Sequence, residues 1–161
     1  MTALNDDIRE YTARLKDGQI QRAYKGILNF MSELRVYLVR TYTEYTTSAL
    51  YFGYMDMTYF ALIPPLLKKR KLKIAVVYLH AENRFECWLA GANRKVQADY
   101  IERLSGRNIG GYMLSKPAPG VDAIIAASIS DQPDFDQRDC LIEALENKIT
   151  AFSIAMESIT N

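Results

Sequence analysis

Apolar residues in the first part of the chain recur at helical spacing. Leu4, Ile8, Tyr11 and Leu15 lie on one stripe, and Asp6 and Asp7 suit the positive end of a helix, so residues 4 to 17 read as helical. Asp17-Gly18 ends that helix. From Gln19 to about Tyr45 the stripe returns as Ile20, Tyr24, Ile27, Met31, Leu34, Leu38 and Thr41, with Ala23, Phe30 and Tyr37 beside it. A stripe this wide predicts a long helix lying across a sheet or between two partners.

The composition then turns from helix formers to β-branched and aromatic residues. Residues 50 to 62 read as a strand that Pro64 and Pro65 end, and "LLKKRK" reads as a short helical turn with the prolines near its start. "LKIAVVYLH" and "RFECWLAG" form two strands joined by "AEN", an antiparallel hairpin. Asn93 caps a helix to about Leu104, with Val96, Tyr100 and Leu104 inward, and "SGRNIGG" breaks it. "YMLSKPAPG" reads as a short edge strand and then a loop. Residues 121 to 130 read as a strand with Val121, Ala123, Ile125, Ala127 and Ile129 on one face. Asp136 is the expected N-cap of a last helix striped by Ile142, Leu145, Ile149, Phe152, Met156 and Ile159. Helices and strands segregated in this way predict an α+β fold, a mainly antiparallel sheet with long helices on one face. The chain, 1 to 161, reads as a single domain.

The hairpin register follows from the same pattern. Pairing Leu79 with Arg84 would mix core with solvent, so the expected ladder joins Leu79 with Phe85, Val77 with Cys87 and Ala75 with Leu89. The reverse face then pairs His80 with Arg84, Tyr78 with Glu86 and Val76 with Trp88. Strand parity groups Asp56 with Tyr54, Thr58 and Phe60. If strand order brings these onto the reverse face, one surface collects Tyr54, Asp56, Tyr78, His80, Arg84, Glu86 and Trp88. Those seven are the candidate ligand-binding residues. The plain alternative is a solvated half of an antiparallel sheet, whose cross-strand pairs only shield the backbone. A self-complementary homodimer face is a further alternative, since aromatics flanked by charges suit protein contacts.

Charge and motif content narrow the chemistry. Twenty Lys and Arg against nineteen Asp and Glu give a net charge of +1, against general nucleic-acid binding. The start shows no basic region followed by an apolar stretch, and no apolar run is long enough to span a membrane, so a soluble, cytoplasmic protein is expected. Cys87 and Cys140 lack metal-ligand spacing and read as reduced, buried thiols. Neither "GxxxxGK[ST]" nor "GxGxxG" occurs, and no cofactor is expected. "KKRKLK", residues 68 to 73, reads as a solvated connection, and "NIGGYMLSKPAPG" as an irregular crossover.

Two catalytic readings arise from the acids and the histidine. Asp56 and Glu86 would pair as metal ligands beside Lys73, as in a divergent metal-dependent hydrolase or nuclease. Restriction-endonuclease-like sites place an acid two residues before a lysine, however, and Trp88 stands there. His80, the single histidine, has no nucleophile-elbow serine to serve.

"GYMDMTYF", "LKIAVVYLHAENRFECWLAG", "PGVDAII" and "QPDFD", in that order, resemble a family of small bacterial cytosolic proteins described as a domain of unknown function. The resemblance covers nearly the whole chain and implies a bacterial cytosolic protein, without assigning activity or site residues. The reading that follows is a non-enzymatic module that binds a small molecule or a protein, a second copy of itself included, through the mixed sheet face.

Overall fold

The computed structural model describes residues 3–161. Helix α1 spans Leu4–Leu15 and α2 spans Gln19–Thr41. Strands β1 (Thr46–Thr47) and β2 (Met57–Ile63), the short helix α3 (Pro65–Lys69), and strands β3 (Leu72–Leu79) and β4 (Arg84–Gly91) follow. Helix α4 (Arg94–Leu104), strand β5 (Ala123–Asp131) and helix α5 (Arg138–Ile159) complete the order. The five strands form one antiparallel meander, β1-β2-β3-β4-β5, so the fold is α+β as expected.

One sheet face is sealed by helices. Phe30, Met31, Leu34 and Leu38 of α2 and Leu145, Ile149, Phe152 and Met156 of α5 are buried against Phe60, Leu62, Ile74, Val76, Phe85, Cys87 and Leu89. The two helices are tied where the Tyr37 and Tyr42 hydroxyls donate to the Glu146 carboxylate at 2.6 and 2.9 Å. Arg70, just after α3, donates to the Glu157 carbonyl at 2.7 Å and so holds the end of α5. Among the described residues, no helix is long and apolar enough to cross a membrane.

Helix α1 behaves differently, for it contains no buried residue. Its stripe is present but faces solvent, with Leu4, Ile8 and Tyr11 exposed at 73%, 48% and 58%.

The hairpin register corrects the expected one. Tyr78 lies opposite Phe85, Val76 opposite Cys87 and Ile74 opposite Leu89, while Leu79 pairs with Arg84, Val77 with Glu86 and Ala75 with Trp88. Apart from Lys73, strand β3 is apolar on both sides, Leu72, Ile74, Val76 and Tyr78 on one and Ala75, Val77 and Leu79 on the other, so alternation marks its outward face only weakly. The turn decides. His80 to Asn83 close it with an Asn83 N–H to His80 carbonyl bond of 3.3 Å, and Asn83 is left-handed at φ 50°. Tyr78, grouped with the polar residues on account of its phenol, is buried and satisfies its hydroxyl on Asn83 Oδ1 at 2.7 Å.

Other local expectations shift for identifiable reasons. The stretch 50 to 56 is a turn rather than strand: Gly53 and Met55 are left-handed, at φ 77° and 65°, and fold the chain so that Tyr51 bridges Tyr59. Asp136 does not cap α5; its backbone N–H bonds the Asp134 side chain, and Gln137 precedes the helix without a side-chain cap. Two register shifts against β4 break the parity of β5 and let Ile124 bury beside Ile125. The segment before β5 makes only one bridge, Leu114 to Ile125. Cys87 is buried as expected, but Cys140 is exposed in the first turn of α5.

Candidate functional site

The register divides the seven candidate residues between two sides of the sheet. Arg84, Glu86 and Trp88 occupy alternate positions of β4 on the face opposite the helices, where their neighbours on β3 are Leu79, Val77 and Ala75. Tyr78 turns to the helix side, and so does His80, whose ring meets Tyr24 of α2 and Tyr78 edge-on at 5.6 and 5.0 Å. Asp56 sits one residue before β2, where its carbonyl accepts the His80 N–H at 3.0 Å and its carboxylate accepts the Tyr54 N–H at 2.9 Å. The Tyr54 side chain is 90% exposed, beyond both groups.

On the uncovered face the three β4 residues form a ladder. Arg84 Nε donates to Glu86 Oε2 at 2.9 Å, and Trp88 Nε1 donates to Glu86 Oε1 at 2.8 Å. Both oxygens of a half-buried carboxylate are thereby occupied, which fixes the indole across the strand. Val77 is fully buried on this face, flanked across the strands by Tyr59 and Glu86. Tyr51 lays its ring 4.9 Å from that of Tyr59 and extends the aromatic surface to the sheet edge.

A recess of about 250 Å³ opens beside Trp88, bounded by Met57, Tyr59, Lys73 and the start of α4. Asn93 caps that helix through Oδ1, which accepts the Val96 N–H at 2.9 Å. Gly91 lets the first turn of α4 approach the end of β4, because a Cβ there would lie 2.7 Å from the Gln97 nitrogen. Arg94 pairs with Asp122 at 3.0 Å, and Gln97 donates to the Val121 carbonyl at 2.8 Å, so the rim is braced. Among the described residues, Lys73 has neither a hydrogen-bond nor an ion-pair partner, and its ammonium is the free charge of the recess. Sequence reasoning named Lys73 beside a metal and as the end of a solvated basic run, and missed Tyr59, whose position depends on strand order.

The acids suggested as metal ligands are engaged elsewhere. Glu86 is held by Arg84 and Trp88 on the uncovered face, whereas Asp56 lies in the exposed turn before β2, where its charge acts on His80 and Tyr51. Among the described residues, no three His, Cys, Asp or Glu gather as a metal would require. Backbone N–H bonds from Tyr54 and Met57 hold the Asp56 carboxyl below the usual carboxylate range. Burial pushes His80 below the ordinary histidine value, against the pull of the Asp56 charge. Burial also raises the Cys87 thiol far above its usual range, consistent with its place under the helices.

An antiparallel meander with its helices on one side, leaving an aromatic and charged face open, defines the class of protein. The chain belongs to the family described as Domain of unknown function (DUF7000), whose model matches residues 4–160. No curated protein and no solved structure matches the chain.

Proposed function

We propose that this chain is a non-enzymatic binding module that works through the uncovered sheet face, as one domain over residues 1 to 161. The observation that carries the reading is the half-buried Trp88, fixed by Glu86 beside a recess with a free lysine, on a face that no helix seals. Aromatic anchors set among charges are the usual chemistry of a protein-contact centre. Tyr51, Phe52, Tyr54 and Met55, exposed at 42%, 56%, 90% and 48%, extend the apolar surface beyond the sheet edge.

A homodimer is the form of association we favour, because of α1. A twelve-residue helix with no fully buried residue, only Leu15 being partly covered, is marginal in water, so its apolar stripe calls for cover from outside the molecule. The likeness to small bacterial cytosolic proteins and the two free cysteines support a bacterial cytosol as its setting. The metal-dependent alternative draws less support, since Asp56 and Glu86 serve different partners.

Sedimentation velocity and Trp88 emission test the proposal together, because the chain has a single tryptophan. The expected result is a dimer that Ile8→Asp with Tyr11→Asp converts to monomer, and an emission that responds to a bound partner. A strict monomer whose emission stays fixed across metabolite and protein screens would overturn the reading.

A further inference from the structure

We propose a second binding site on the helix side of the sheet, at His80, for a planar aromatic ligand that carries an N–H or O–H donor. It is independent of the uncovered-face reading, because the sheet separates the two. A cavity of about 710 Å³ lies between the first half of α2, the β3–β4 turn and the segment before α5. That volume suits a small-molecule site. Its floor is apolar and aromatic, from Ile27 and Phe30 of α2, Tyr78 of the sheet and Phe135 opposite, whereas its rim is polar, with Arg22, Asn29, Glu33, Asn83, Asp136 and Arg138. Gly26 also faces it, and a Cβ built there would meet nothing within 4 Å.

The hydrogen bonds of Thr58 fix the chemistry of the one histidine in this cavity. Thr58 is fully buried, and its Oγ1 lies 2.7 Å from the Phe52 carbonyl and 2.8 Å from His80 Nε2. A hydroxyl has one proton, and a carbonyl can only accept, so that proton goes to Phe52. His80 Nε2 must therefore donate to Thr58, which assigns the proton of the neutral ring to Nε2 and leaves Nδ1 with a lone pair. Nδ1 has no partner among the described residues, yet it is not one of their fully enclosed, unpartnered side-chain atoms. It is therefore accessible, and the cavity is the space that His80 borders.

The rest of the cavity explains why the acceptor selects a donor on an aromatic body. Tyr24 and Tyr78 pack edge-on against the imidazole, and the Thr58 bond to Nε2 sets its orientation. Tyr78 gives its own proton to Asn83, so it does not satisfy Nδ1. Arg138 is committed to Glu33 and Asp139. A fixed acceptor among Phe30, Phe135 and Ile27 suits a ring that brings one N–H or O–H and otherwise fills apolar space.

The single histidine makes the test direct. Long-range ¹H–¹⁵N spectra of the imidazole would be recorded while the full chain is titrated with indole, which has one N–H donor, and with N-methylindole, which has none. The expected result is an Nε2–H tautomer in the free protein, a saturable shift of Nδ1 with indole, and binding of N-methylindole weaker by about 3- to 10-fold, the worth of one hydrogen bond. Gly26→Leu and, separately, Ala23→Leu should remove the saturable shift by filling the cavity; the tautomer signature identifies which of the two has kept the native fold. An Nδ1–H tautomer, no saturable shift with indole, equal response to both probes, or a shift that persists in a folded cavity-filling variant would each overturn the proposal.

Discussion

Trp88 and Glu86, two residues apart on β4, are joined by a 2.8 Å bond from the indole Nε1 to Oε1, while Arg84 occupies the other oxygen of the carboxylate. Adjacent positions on one face of a strand are thus locked into a single rigid surface. Glu86→Ala releases the indole and leaves Arg84 unpaired. The expected cost is about 1–2 kcal/mol in denaturant unfolding, because the bond is charge-assisted but Arg84 remains partly in water. Trp88 emission should shift to the red and become easier to quench with acrylamide. Unchanged quenching would show that the ladder does not order the indole.

The pH dependence of His80 follows from opposed influences. Burial lowers its pKa, and the Asp56 carboxylate raises it by a smaller amount, so the folded value lies below the unfolded one. Between those values the unfolded chain binds more protons. This contribution to stability is therefore complete above the unfolded pKa, about 6.5, and is lost as the pH falls from there through the folded value. An NMR titration of the single imidazole should give a pKa below 6.5, and Asp56→Asn should lower it further. A rise in that variant would contradict the placement of the carboxylate beside the ring.

Gly53 and Gly26 make opposite demands. A Cβ on Gly53 would lie 1.9 Å from the Met57 carbonyl oxygen at a φ of 77°, whereas Gly26 sits in open space within α2. Gly53→Ala must therefore open the turn that carries Asp56 and brings Tyr51 to Tyr59, at a cost of more than about 1 kcal/mol. Gly26→Ala should stabilise by up to about 1 kcal/mol through helix propensity. Thermal unfolding of the two variants checks both signs.

Most of the fold was legible because its helices carry long one-sided stripes, and α5 buries the residues its spacing named, Ile142 through Met156. The hairpin itself was legible, and so was the inward face of β4, since Phe85, Cys87 and Leu89 alternate with Arg84, Glu86 and Trp88. The facing of β3 was not, because Ala75 and Val77 are as apolar as Ile74 and Val76. The phenol of Tyr78 misled for a related reason: one hydroxyl looks polar in a sequence, yet Asn83 satisfies it in place. That one-residue shift sent Tyr78 and His80 under the helices and left Trp88 with Glu86 outside. The outward stripe of α1 was equally hidden, since periodicity shows which residues share a face but not what lies against it.

Thiol chemistry tests which face of β4 the helices cover, without any ligand. Cys87 alternates with Glu86 and Trp88, so the observed ladder puts it opposite Val76 and under the helices, fully buried and with a thiol that burial holds protonated. Cys140 lies exposed on α5. An aromatic disulfide reagent attacks the thiolate and needs access to it, so only Cys140 should react in the native protein. Cys87 should follow at the rate of global unfolding, and both should react at once in strong denaturant. Core destabilisation by Leu34→Ala, about 2–5 kcal/mol, should accelerate Cys87 and leave Cys140 unchanged. Rapid labelling of Cys87 in the intact protein would mean that β4 presents its other face to the helices, and the division of the two sites would fail with it.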